Sequence, residues 1–142
     1  MKKDRFSDID ILLLIPQREP MIMVSGLLSA NDHSVTTWFQ LEEDNIFLKD
    51  GLFQESGLIE NIAQSAAAMN GYRALLEGGA VKNGYIGAIK NLEIKSLPQK
   101  GSRLSTVVTE THYVMDTSII LGEVSVEDQV IASCEMNVFM QA

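Results

Sequence analysis

The sequence predicts an α+β domain in which a long antiparallel sheet wraps one central helix. Three observations carry that expectation. A single long helical segment, about Ser56 to Glu77, is apolar over most of its circumference, which marks a buried helix. Everything after Gly84 reads as four long strands separated by short turns. Two further strand-like runs precede the helix. At 142 residues there is no room for a second core, so residues 1–142 are read as one domain.

The elements follow in order. Ser7 to Ile15 begins with a residue suited to an N-cap and ends against Pro16, which predicts a short N-terminal helix. Met21 to Ser29 is an apolar, strand-like run. In Ser34 to Leu41, Val35, Thr37, Phe39 and Leu41 alternate with Thr36, Trp38 and Gln40, types that suit a pleated surface. Asp50-Gly51 and Gly78-Gly79 bracket the helix. Its Ala63, Ala66, Ala67 and Ala68 are short enough to let other layers approach closely. The last four strands are Tyr85–Lys95, Arg103–Tyr113, Thr117–Val126 and Gln129–Met140. The last alternates most cleanly: Val130, Ala132, Cys134, Met136, Val138 and Met140 share one face, Ser133, Glu135 and Asn137 the other.

Composition narrows the function classes. Hydrophobic residues make up 46% and charged residues 21%, the balance of a packed globule. Eleven Lys and Arg against nineteen Asp and Glu give a net charge of −8, which repels nucleic-acid phosphates and anionic lipid, so neither nucleic acid nor membrane is expected as a partner. No apolar stretch approaches the ~20 residues of a membrane span, and the basic start Met1-Lys-Lys-Asp-Arg5 is not followed by the long apolar region of a signal peptide. The one cysteine, Cys134, can form neither an internal disulfide nor a thiolate zinc site, and is expected to pack as a small hydrophobe in a reducing, cytoplasmic setting. No His, Cys, Asp or Glu cluster has metal-ligand spacing and no Gly-rich loop has phosphate-binding form, so neither metal nor cofactor is expected.

Three colinear segments carry a resemblance. Leu14-Ile-Pro-Gln-Arg-Glu-Pro-Met-Ile-Met-Val24 resembles the Leu-Pro-His-Arg-x-Pro-(three apolar)-Val signature of β-hydroxyacyl-acyl-carrier-protein dehydratases. Gly57-Leu-Ile-Glu60-Asn-Ile-Ala-Gln64 is similar to that family's Leu-Ile-Glu-Ala-Met-Ala-Gln, which opens its helix and contains the catalytic glutamate. Tyr85 to Gly101 is similar in order and spacing to the family's strand, basic turn and Pro-x-x-Gly. The resemblance implies the hotdog fold, edge-to-edge dimers or higher oligomers, and chemistry on a 3-hydroxyacyl thioester carried by acyl carrier protein or coenzyme A.

That chemistry needs a base for the α-proton, an acid for the departing hydroxyl and a donor for the enolate-like oxygen. Glu60 matches the family's glutamate, and the backbone around Glu55, Ser56 and Gly57 matches its oxyanion-binding helix start, with Gln64 in support. The family's Gly-His-Phe-Pro-Gly loop is missing; Asp44 to Glu55 is shorter and has no histidine. A second proton-transfer group would then come from Asn45, Lys49, Asp50, the substrate or a partner chain. Three readings stay open: a dehydratase, a hotdog thioesterase in which the carboxylate activates water, and a non-catalytic carrier-binding or dehydratase-partner subunit in a hetero-oligomer. For Glu60 itself the plain alternative is a first-turn charge favoured by the helix dipole. Gln64, at i+4, reads as a hydrogen-bond partner of Glu60 or of backbone. His33 and His112 read as solvated or satisfied strand residues, and Glu42-Glu43-Asp44 as a solvated turn.

Charge is unevenly spread. Lys82, Lys90, Lys95, Lys100 and Arg103 face a single acid, Glu93, in their stretch, whereas Glu110 to Glu135 holds six acids and neither Lys nor Arg. With the resemblance, Lys90, Lys95, Lys100 and Arg103 become candidates for docking an acidic carrier or coenzyme A phosphates; the alternative is a set of solvated lysines at strand ends.

Overall fold

Period-two patterning builds a six-stranded, fully antiparallel sheet in the computed structural model, which describes residues 6–79 and 84–140, Met140 by its backbone only. The strands are β1 (Gly26–Ala30), β2 (Ser34–Gln40), β5 (Gly84–Ile94), β6 (Arg103–Val114), β7 (Thr117–Val126) and β8 (Gln129–Met140). They lie in the order β1-β2-β6-β7-β8-β5. A two-residue-strand hairpin, β3 (Leu48–Lys49) and β4 (Leu52–Phe53), turns at Asp50-Gly51 and leads into the one long helix, α1 (Glu55–Glu77). Sequence periodicity missed this hairpin because a pair of residues has no period to read.

One face of the sheet packs on α1. Val35 and Phe39 of β2, Leu104 and Val108 of β6, Ile120 and Val124 of β7, and Met136 of β8 are buried there with Leu58, Ile62 and Met69 of the helix. Small residues set how closely the layers approach. A Cβ on Gly122 of β7 would overlap the Ile62 side chain, and one on Gly71 of α1 would overlap the Leu14 carbonyl. The helix stops at Gly78, whose left-handed conformation (φ 75°) lets its N–H reach the carbonyls of Ala74 and Leu75. Near that end, Arg73 pairs with Glu110 of β6 at 3.2 Å and donates to the Asp32 carbonyl, while Ser118 donates to Glu110 at 2.6 Å. This clasp ties the helix to the β1–β2 turn and to two strands.

Two N-terminal expectations need correction. Instead of a helix over Ser7–Ile15 there is a single 3-10 turn, Ile11–Leu13, capped by the Asp10 carboxylate on the Leu12 N–H. A nine-residue segment is below the length at which helix propagation repays nucleation. Arg18 instead satisfies the carbonyls of Leu12, Ile15 and Gln17. The strand expected over Met21–Ser29 begins only at Gly26. The Met21 N–H donates to the Arg18 carbonyl at 3.0 Å, while the Met21 carbonyl and both backbone groups of Met23 bond the helix rather than a neighbouring strand. Gln64 Oε1 accepts from the Met23 N–H, Gln64 Nε2 donates to the Met21 carbonyl and Asn61 Nδ2 to the Met23 carbonyl, each at 2.7 Å. In β8, Ala132, Cys134, Met136 and Val138 face the core as read, but Val130 is exposed and Ile131 buried, because the ladder shifts between Val124 and Ser125. The side chain of Met140 is outside the described atoms.

Candidate functional site

Glu60 is the sixth residue of α1, so it lies in the second turn, and the first-turn acid is Glu55. A simple first-turn dipole partner is therefore Glu55 and not Glu60. The Glu60 carboxylate is half-buried, and its Oε2 accepts a 2.7 Å hydrogen bond from Gln64 Nε2. Gln64 is fully buried and fixed by Met21 and Met23, which leaves it no rotational freedom to release Glu60. One carboxylate oxygen is held, and Glu60 lines a pocket of about 280 Å³. Ala63 and Ala67 of α1, Ile86 of β5 and Val138 of β8 give that pocket its apolar wall, and Gln17 and Tyr85 join Glu60 as its polar side chains.

The helix start is differently placed. The Gln54 carbonyl takes the N–H of Gly57 at 3.0 Å and of Leu58 at 3.2 Å, leaving those of Glu55 and Ser56 as its open donors among the described residues. Glu55 and Ser56 are exposed. Gly57 is buried, and a Cβ there would overlap the Phe53 ring and press on Phe47, so this glycine allows the β3–β4 hairpin to close over the helix. None of the three lines the Glu60 pocket.

The histidines and the residues expected to replace the missing loop also stand apart from it. His33 is in the exposed β1–β2 turn, and His112 is exposed on β6 beside Thr111. Asn45 is occupied with Phe47 N–H and the Met23 sulfur, and Lys49 and Asp50 are exposed on the β3–β4 hairpin. The basic candidates are spread out. Lys90 lies opposite Glu135, and Lys95 follows β5. Lys100 is 3.9 Å from Glu43, and Arg103 stacks on Trp38 at 4.0 Å. Arg103 starts β6, three strands from β5, a separation of roughly 14 Å at the usual strand spacing. Lys82 is outside the described residues.

Sequence reasoning missed two sets of residues. Gln17 is one; the available signal was its place in the Pro16-Gln17-Arg18 segment, where the resembled signature has histidine. The other is a buried polar row. Thr106 Oγ1 donates to Asn61 Oδ1 at 2.5 Å, Ser65 Oγ donates to the Asn61 carbonyl at 2.8 Å, and Thr37 and Ser65 share a 2.7 Å hydrogen bond. This row anchors the turn that carries Glu60 to β2 and β6. Among the described residues no three His, Cys, Asp or Glu side chains are grouped as metal ligands, and no helix is long and apolar enough to cross a membrane.

Cys134 is buried on β8, and desolvation raises its thiol from 9.0 to about 11. Only the thiolate reacts, so a disulfide reagent at pH 8 should leave the folded protein unmodified and label one thiol after unfolding. Because the folded thiol holds its proton more tightly than the unfolded one, this group should lower stability progressively as pH rises from about 9 to about 11. Thermal melts of wild type and Cys134→Ala across that range check the sign.

One long helix packed against a six-stranded antiparallel sheet defines the hotdog class of α+β proteins. Within that class the chain belongs to the ApeP-like dehydratase family, whose model matches residues 9–142. No curated protein is a sequence match. Its fold is similar to a chain of the dehydratase heterocomplex ApeI:P from Xenorhabdus doucetiae, with TM-score 0.88 and 18% identity over 94% of this chain and 92% of that one. It is also similar to an HP0420 homologue from Helicobacter felis (TM-score 0.69, 14% identity, 92% and 87% covered). A hypothetical thioesterase with coenzyme A from Streptococcus pneumoniae shares the fold too (TM-score 0.65, 9% identity, 82% and 84% covered).

Proposed function

We propose that this protein is a hydro-lyase on 3-hydroxyacyl thioesters, carried by acyl carrier protein or coenzyme A, with Glu60 as its proton-transfer residue. The observation that supports it is the Glu60 carboxylate, fixed by Gln64 at 2.7 Å in the lining of a pocket whose wall includes Ala63, Ala67, Ile86 and Val138. Elimination breaks the Cα–H and Cβ–OH bonds, forms the Cα=Cβ bond and releases water. A single carboxylate can take the α-proton and return it to the departing hydroxyl, so the balance requires no metal and no redox partner. Family membership supports the class of reaction.

One observation favours a second reading. Among the described residues the pocket is lined by a carboxylate, a carboxamide and the Tyr85 phenol but no histidine, which suits a binding subunit whose catalytic partner is a related chain. The similarity to a dehydratase heterocomplex points the same way. Either role uses an oligomer, homodimeric or heteromeric. β5 is an unpaired edge along which Tyr85, Ile86, Ile89 and Leu92 are exposed, the surface on which a second hotdog subunit would add. The cytoplasm is the compartment that suits this chain, since a lone thiol stays reduced there.

The test is a product assay on a 3-hydroxyacyl thioester and its saturated counterpart. Enoyl product identifies the lyase. Free thiol release identifies a thioesterase, and neither product, with stable binding of a carrier or a related subunit, identifies the partner role.

A further inference from the structure

We infer that Ala63 and Ala67 set the length of acyl chain that the Glu60 pocket accepts, the chain running from Glu60 along α1 past Ala63 to Ala67; this rests on the acyl-thioester reading above. The alanines of this part of the helix divide into two pairs. Ala66 and Ala68 are buried in the core. Ala63 and Ala67 are only half-buried, and both line the pocket of about 280 Å³ that Glu60 also lines. Protein interiors leave few such spaces, and an apolar space left unfilled forfeits dispersion contacts along its lining, so one bordered by a fixed carboxylate marks room kept for an apolar ligand.

Helix geometry gives the pocket a direction. Glu60, Ala63 and Ala67 fall at i, i+3 and i+7 on one face of α1, and the helical rise places Ala63 about 4.5 Å and Ala67 about 10 Å from Glu60 along the axis. Ile86 of β5 and Val138 of β8, which are cross-strand partners, complete the apolar lining. An extended chain advances roughly 1.2 Å per bond, so with the reacting carbons at Glu60 a four-carbon acyl group ends near Ala63 and a twelve-carbon group passes Ala67. Leucine, three carbons larger than alanine, would occupy that path. At Ala67 it excludes long chains only, and at Ala63 it obstructs short ones as well.

The experiment measures equilibrium binding of four-carbon and twelve-carbon 2-oxoalkyl thioethers of coenzyme A, and of the same groups on acyl carrier protein. These ligands keep a carbonyl and are neither dehydrated nor hydrolysed, so the readout is independent of turnover. Wild type, Ala67→Leu, Ala67→Val and Ala63→Leu are compared, each with its melting temperature. Ala67→Leu should weaken the long ligand by about 15–60-fold, the scale of two to three methylenes losing burial, and leave the short one within about twofold of wild type. Ala67→Val should show a smaller loss of the same kind, and Ala63→Leu should weaken both ligands. Should Ala67→Leu melt below wild type, Ala67→Val decides by the same criteria. Long-chain affinity unchanged at Ala67 would overturn the inference while leaving the thioester reading intact. Equal loss of both lengths at Ala67, or a short ligand untouched by Ala63→Leu, would also overturn it, because the chain would then not run in this direction. Failure of both lengths on both carriers to bind wild type would refute the thioester reading, and the inference with it.

Discussion

Glu60→Gln should lower turnover of 3-hydroxyacyl thioesters by about 10²–10⁴, the scale of losing a general acid–base group, with a melting temperature close to wild type. The substitution keeps side-chain length, and the new carboxamide oxygen can still accept from Gln64 Nε2, so the local hydrogen bond survives while the proton acceptor is lost. Its neighbours carry little risk of collapse, because Gln64 is independently held by the backbone of Met21 and Met23. Initial rates of enoyl formation, with circular dichroism melts alongside, read both quantities. Equal turnover by variant and wild type would remove Glu60 from the chemistry while leaving the fold and family untouched.

Asn61→Leu should be the most damaging single change near the site for stability, costing about 3–5 kcal/mol. Asn61 is fully buried, donates to the Met23 carbonyl at 2.7 Å and accepts from Thr106 Oγ1 at 2.5 Å. Leucine fills similar space but leaves a buried carbonyl and a buried hydroxyl unpaired, each at about 1–3 kcal/mol. For a chain of this size the loss corresponds to a melting temperature lower by about 10 °C or more. Activity should fall with it even below the melting point, because the Met21–Met23 segment that fixes Gln64, and through it Glu60, is released from the helix. A melt within about 2 °C of wild type, less than the shift expected for even 1 kcal/mol, would show that the row of Asn61, Ser65, Thr37 and Thr106 does not hold the helix to the sheet.

The fold was readable wherever one residue type repeats with a period. β2, β7 and β8 alternate between core and solvent, and α1 is apolar on nearly all sides, so strand, helix and their order follow from the chain alone. Where backbone groups are satisfied by distant side chains, the sequence carries no such period. Met21 to Met23 reads as a strand because it is extended and apolar, yet its partners are Asn61 and Gln64, some 38 to 43 residues away. The nine residues from Ser7 have an N-cap candidate and a terminating proline, but Arg18 captures the carbonyls that a helix would have used.

Read alone, the chain specifies a hotdog-type α+β domain and places Glu60 and Gln64 on one helix face at i, i+4, because both facts are local and periodic. Which other groups stand with Glu60 was a matter of three-dimensional packing. It brought Gln17 to the pocket from a loop, and left Glu55, Ser56 and Gly57 outside its lining. It also separated Lys90 on β5 from Arg103 on β6, with Lys95 and Lys100 in the connection between them, since residues close in sequence on either side of a connection can enter strands that are not neighbours. Proximity between groups on different elements depends on strand order and on how closely small residues such as Gly71 and Gly122 let the layers approach, and neither quantity is encoded in a local pattern.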